Sequence, residues 1–163
     1  MKESIDITNE VQRAVDNVMK NKSKYRNQDD LESALKIRRE VFVEEHNVPE
    51  SIELDEFDTL DSGCIHILAL YNDLPIGTLR ANLTIKDKVK IQRFCFLPEY
   101  RKHGFGKLLL EFAENELINK GYSYFFLEAK FAVHHFYEKC GYQRVSDIFY
   151  EVDVPHVKME KHI

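Results

Sequence analysis

The run Arg101-Lys102-His103-Gly104-Phe105-Gly106-Lys107 places basic side chains and two glycines where an apolar, strand-like stretch breaks at Pro98 and a helix begins. At a helix entrance the first backbone N–H groups have no intrahelical partner and the macrodipole is positive, so an anion is favoured there. Gly104 and Gly106 let the backbone approach a pyrophosphate without a Cβ in the way, while Arg101, Lys102 and Lys107 add charge. Two commoner glycine motifs do not fit. The dinucleotide fingerprint needs a third glycine where Leu109 stands, and a P-loop needs Ser or Thr where Leu108 stands.

The elements around this turn must hold it rigidly. Phe105, Leu108, Leu109, Phe112, Ala113 and Leu117 follow the spacing of one buried helix face, and Gly121 closes that helix. Upstream, Cys64 to Tyr71, the turn Asn72-Asp73 and Ile76 to Ile85 read as a hairpin, followed by a strand from Lys88 to Phe96. Downstream, Tyr122 to Glu128 reads as a central strand, followed by a short helix at Ala132, His135 and Phe136 that closes at Gly141. Val145 to Val152 and Val157 to Met159 supply the last strand material. Nearer the start, a helix is expected at about residues 9 to 20. A second one, capped by Asn27, has Leu31, Ala34, Leu35, Ile37 and Val41 as its apolar side.

The 163 residues suit a single domain, 1–163, with 1–26 a poorly defined N-terminal segment. A net charge of −5 gives no general reason to bind nucleic acid or an anionic membrane. The three cysteines lack C-x-x-C spacing, so neither a disulfide framework nor a zinc site is expected. His134 and His135, at i and i+1, should diverge on a helix and make poor co-ligands, and no metal is expected. A polar N-terminus and the lack of a long apolar run imply the cytoplasm. Between Glu44 and Asp61 there are eight acidic residues and no Lys or Arg. These read as a solvated loop, or more sharply as a rim attracting an amine.

Arg101-x-x-Gly104-x-Gly106 after a strand ending in Phe-Leu-Pro-Glu-Tyr resembles the acetyl-CoA motif of the GNAT N-acetyltransferases. Phe136-Tyr137-Glu138-Lys139-Cys140-Gly141-Tyr142 resembles that family's F-Y-x-x-x-G-F box. Ile37 to Glu45, with Val154-Pro155-His156-Val157-x-Met159, is similar to its ElaA-like branch. The resemblance covers roughly residues 28 to 160. It implies an α/β (α+β) GNAT fold, with a mixed central sheet of about six to seven strands flanked by helices on both faces.

The resemblance further implies direct transfer of an acetyl group from acetyl-CoA to a primary amine of a small molecule, with no covalent enzyme intermediate. Phe94, Cys95 and Phe96 would offer backbone groups to the pantetheine arm, and Arg101 to Lys107 would hold the pyrophosphate. Tyr137 would serve the departing thiolate. The base is open among Glu45, Glu53, His156 and an ordered water. Cys95, in an apolar strand, is a poor nucleophile. The alternatives are a transferase for protein N-termini or lysines, and a non-catalytic acyl-CoA-binding module. A homodimer is left open.

Overall fold

In a computed structural model the described residues are 28–163. The helix expected at residues 9 to 20 and the Asn27 cap lie outside them. The described chain runs α1 (Gln28–Arg38), a π-helical segment (Arg39–Glu45), α2 (Glu50–Glu53), β1 (Cys64–Tyr71), β2 (Leu74–Asn82), β3 (Val89–Phe96), a 3-10 turn (Pro98–Tyr100) and α3 (Phe105–Asn119). It continues with β4 (Tyr124–Lys130), a 3-10 turn (Phe131–Val133), α4 (His134–Lys139), β5 (Gln143–Arg144), β6 (Phe149–Glu151) and β7 (Val154–His162).

The seven strands form one mixed sheet in the order β1-β2-β3-β4-β7-β5, with β6 also paired to β7. Only β3 and β4 run parallel, and α3 makes the crossover between them. Asn72 (φ 47°) and Asp73 (φ 63°) form the two-residue hairpin turn between β1 and β2, in the left-handed backbone that Asn and Asp tolerate. The end of the chain departs from expectation. Residues 145–148 form no strand, and the pairing surface is the nine-residue β7, which has β4 on one side and β5 and β6 on the other.

Helices cover both faces. Ala34, Ile37 and Val41 pack with Leu68 and Cys95 on one side. On the other side α3 buries Phe105, Leu109, Leu110, Ala113 and Leu117 in the main core with Phe125, Leu127 and Ala129. The α3 stripe lies slightly to one side of the expected one: Leu108 and Phe112 are half-buried, while Leu110 and Glu114 are buried. Glu114 is tolerated there because it accepts from Tyr142 (2.7 Å) and from Lys161 (3.0 Å). Past Arg38 the first helix widens into π-type turns, with His46 N–H reaching Val41 O at 3.0 Å. Such turns are rare and cluster at functional sites. This one delivers Glu45 to Arg101, just past β3, and His46 to Lys130 at the end of β4.

Candidate active site

The site begins as a fork in the sheet. β3 and β4 pair at Val89–Phe125, Lys90–Phe126 and Ile91–Leu127, and then part, although both strands continue. A β-bulge causes this. Between the Arg80–Gln92 and Thr78–Cys95 pairs β3 carries one extra residue, and Arg93 takes φ 52°. β4 stays in line because β7 pairs with it as far as Lys130–His156.

Leu97 N–H donates to Ile76 O, and the alternation of an antiparallel ladder then turns the backbone of Cys95 toward β2 and those of Phe94 and Phe96 toward the gap. So the backbone groups of Phe94 and Phe96 face away from β2. Cys95 departs from the sequence reading: its backbone belongs to the ladder and its side chain lies under α1, where burial pushes the thiol up to about 12.

The turn after β3 leads into α3. Gly104 (φ 82°) is the N-cap, without a side-chain cap, and Lys102 (φ 65°) curls the loop ahead of it. The first-turn N–H groups of Phe105, Gly106 and Lys107 therefore have no intrahelical or capping partner, the condition under which a helix entrance favours an anion. The two glycines have separate reasons. A Cβ on Gly104 would meet nothing within 4 Å, so its role is conformational; one on Gly106 would meet the Phe136 ring at 3.3 Å and the Phe94 ring at 3.5 Å. Gly106 lets the helix start close against those rings, which is not the phosphate clearance expected of it.

The charge around the turn also differs from expectation. Arg101 grips Glu45 with both terminal nitrogens, at 2.5 and 2.7 Å, and donates through Nε to Phe96 O at 2.9 Å. Its charge is thus committed to tying the π-helical segment to β3. Lys102 and His103 are exposed, and Lys107 lies 3.8 Å from Glu111.

On the α3 side of the gap, α4 presents Tyr137. Its ring lies 6.4 Å from that of Phe94 and 5.1 Å from that of Phe136. Its hydroxyl makes no hydrogen bond among the described residues, and burial pushes its pKa up. Gly141 closes α4, with Tyr142 N–H bonded to Tyr137 O and Gly141 N–H to Glu138 O. Lys161 reaches Cys140 O at 2.9 Å, so the position of Tyr137 is anchored from below.

The proposed bases fare unevenly. The Arg101 hydrogen bonds hold the Glu45 carboxyl below the usual carboxylate range, which makes it a weak base. Glu53 is buried, accepting from Arg38 Nε at 2.7 Å with Arg93 Nε at 3.3 Å. His156 donates from Nδ1 to Val154 O at 2.7 Å and turns Nε2 toward Glu151, 4.0 Å away.

Five of the eight acidic residues from Glu44 to Asp61 are exposed, as a solvated loop has them, but the other three are not. Glu53, Asp55 and Asp58 bind Arg38, Arg80 and Arg93, which pins this segment onto β2 and β3. The i, i+1 argument about His134 and His135 fails as well. Their rings stand 3.9 Å apart, and with Glu138 their ligand atoms lie within 4.8 Å of one another.

One carboxylate escaped the sequence reading. Glu128, on β4 one residue past the last β3–β4 pair, receives Lys90 Nζ at 3.2 Å. Alternation along YFFLEAK could have marked Glu128 as lying away from α3. Nothing in the sequence pairs it with Lys90, 38 positions earlier.

A forked parallel pair, an uncapped helix entrance and the aromatic box around Tyr137 thus lie around one gap. The acetyltransferase (GNAT) family model matches residues 31–142, and the chain belongs to this family. The uncharacterized protein YyaT of Bacillus subtilis is 44% identical over 134 residues, 82% of this chain and 90% of its own. Escherichia coli ElaA superposes with a TM-score of 0.74 at 25% identity, over 83% of this chain and 92% of its own, in agreement with the branch suggested by residues 37–45 and 154–159. PaiA N-acetyltransferase from Thermoplasma acidophilum, solved in complex with coenzyme A, shares the fold with a TM-score of 0.65 at 21% identity, over 83% of this chain and 94% of its own. The chain is an acyltransferase of this family. No helix among the described residues is long and apolar enough to cross a membrane.

Proposed function

We propose that this acyltransferase uses acetyl-CoA and transfers the acetyl group directly to a primary amine of a small molecule. The observation that carries the reading is the fork. It leaves the Phe94 backbone without a strand partner, in a gap that leads to the first turn of α3. A pantetheine arm carries amide groups spaced along an extended chain, so it can replace the missing strand. The pyrophosphate then meets the N–H groups of Phe105, Gly106 and Lys107, with Lys102, His103 and Lys107 as exposed cations nearby. Arg101 acts one step removed, holding Glu45 and the Phe96 carbonyl at the mouth of the gap.

Tyr137 serves the leaving group. Its pKa is raised above the ordinary tyrosine value, whereas a thiol ordinarily titrates near 8.5, so the proton stays on oxygen. The hydroxyl therefore stabilises the departing thiolate by donating a hydrogen bond, without surrendering its proton. Cys95, buried and protonated, supplies no covalent route, which favours direct attack by the amine.

The test is a thermal shift with acetyl-CoA, with CoA and ATP as controls. At a hundredfold excess over Kd, a ligand specific for the folded state should raise Tm by roughly 5 °C or more. A rise with both CoA species and none with ATP supports the reading; no response to either CoA species removes it. Release of CoA thiol with small amines, compared with peptides carrying a free N-terminus or lysine, then tests the acceptor class. Faster turnover of the small amines is the expected result.

A further inference from the structure

We propose that His134, His135 and Glu138 form a binding site for one divalent transition-metal ion, of the zinc class, on the outer side of α4. The site is separate from the gap between β3 and β4 and does not depend on the acetyltransferase reading.

The geometry starts from His134, the buried member at 9% exposed. Its ring stacks on that of Phe131, with 4.6 Å between centroids and 13° between planes. Its Nδ1 lies 2.6 Å from the Phe131 carbonyl oxygen. A carbonyl only accepts, so Nδ1 carries the hydrogen, and the neutral ring keeps its lone pair on Nε2. A ring held at one nitrogen by a backbone carbonyl, with the other nitrogen left as a donor atom, is the ordinary setting of a metal-ligating histidine. Here Nε2 is turned toward the Glu138 carboxylate, 3.6 Å from Oε1. Two lone-pair groups thus face each other beyond hydrogen-bond distance, an arrangement that a shared cation satisfies.

His135 completes the donor set. Its Nδ1 lies 3.1 Å from Glu138 Oε2, and its ring centroid is 3.9 Å from that of His134. The ligand atoms of all three residues lie within 4.8 Å of one another. Bonds of about 2.0–2.2 Å to zinc set tetrahedral donors roughly 3.4 Å apart, and the two separations from Glu138 fall on either side of that spacing. His135 and Glu138 are exposed, so their side chains have the freedom to close on an ion. A proton on His134 Nε2 satisfies one of these contacts, and it sets an imidazolium against a second imidazole. A divalent ion takes all three donors at once and leaves both rings neutral.

The donor set fixes the class of ion. Two imidazole nitrogens and one carboxylate oxygen suit zinc, copper or nickel, whereas calcium and magnesium take oxygen ligands. Three protein ligands leave a fourth position for water. The three cysteine thiols are buried and do not compete for the ion.

The position on the helix has a consequence. α4 has six residues, too few for a helix that is stable by itself. An ion held by its first, second and fifth residues clips a full turn of it. At 100° per residue Tyr137 points away from these three, and its ring packs against Phe94. A bound ion therefore stiffens the element that carries Tyr137 without touching its hydroxyl.

The experiment uses the full chain without an affinity tag, with Zn2+ as the probe and Mg2+ as the control ion. Wild type, His135→Ala and Glu138→Gln are compared by calorimetric titration, thermal melting and amide exchange. Wild type should bind one Zn2+ at this site and gain roughly 5 °C or more in Tm at a hundredfold excess over Kd. Under the same conditions the α4 amides should exchange up to about 100-fold more slowly. Histidine 15N NMR locates the ion: His134 Nε2 should shift on adding Zn2+ while Nδ1 keeps its hydrogen.

In each variant the zinc affinity should fall at least tenfold, since even the outer partners of metal ligands are worth about that much, and α4 exchange should no longer respond to zinc. Both substitutions fall on exposed side chains, so the metal-free Tm should stay near that of wild type. The acetyl-CoA thermal shift should be the same in all three proteins, which keeps this test apart from that of the acetyltransferase reading. Zinc affinity that is unchanged in either variant places the ion elsewhere and overturns the site. So does a wild type that binds no Zn2+, or one that responds equally to Mg2+.

Discussion

Replacing Tyr137 with phenylalanine is expected to lower kcat by about 100-fold, the usual cost of removing one hydrogen-bond donor aimed at developing negative charge. Acetyl-CoA affinity and folding stability should be almost unchanged. The ring that packs against Phe94, Phe136 and Tyr142 remains, and the hydroxyl has no hydrogen-bond partner to lose among the described residues. Because burial raises the pKa of this hydroxyl, its loss should lower the rate without moving the pH profile around neutrality. Steady-state kinetics with the acetyl-CoA thermal shift run alongside is the measurement. An unchanged kcat takes Tyr137 out of the mechanism, and lost acetyl-CoA binding makes it a scaffold for the cofactor.

The largest effect on stability is expected from Arg80→Met. Arg80 is 1% exposed. It donates to both oxygens of Asp55 at 2.7 and 2.9 Å, to Asp58 at 2.9 Å and to Gln92 at 2.9 and 3.1 Å. Arg38, also 1% exposed, holds Glu53 and Asp58 from the helix side. Removing one member of such a network leaves buried charge uncompensated, at a cost of roughly 3–5 kcal/mol. Urea unfolding would measure it, and a loss below about 1 kcal/mol would mean that the segment 50–58 is held by other contacts.

The network has a pH signature too. Burial works against ionisation of Asp58, but hydrogen bonds from Arg38 and from the Asp55 N–H hold it at about 2, and Asp55 is lowered as well. A carboxyl whose folded pKa is depressed contributes stability that is present above its unfolded pKa, near 4, and is lost as pH falls toward 2. Wild type should therefore lose stability across that window, and Arg80→Met should lose less. The consequence reaches the site, since Arg93, the residue at the bulge, donates to Glu53 O at 3.2 Å. Loosening the network should also loosen the fork.

Much of this protein could be read locally. The turn at Arg101 to Lys107, the helix after it, the β1–β2 hairpin and the box around Tyr137 all follow from patterns spanning fewer than about 20 residues. In each, backbone preference and the alternation of apolar residues act on neighbours in the chain. Charged residues were harder to place, because whether a side chain is free depends on who faces it. Arg101 was read as a phosphate ligand and is bound to Glu45, 56 positions earlier. The acidic stretch was read as a loop or a rim, but three of its carboxylates lie on arginines from α1, β2 and β3. Even the two glycines of the motif differ only through what surrounds them, open space at Gly104 and aromatic rings at Gly106.

By itself, then, the sequence determined the family, the order of most elements, the glycine-rich helix entrance and the position of the tyrosine, since each is written in short-range spacing. Only the tertiary structure decided where β3 parts from β4 and which cations are spent on internal ion pairs. Those outcomes depend on strand register and on long-range electrostatic pairing. A single bulge residue, or a partner tens of positions away, changes them without leaving a mark in the local pattern.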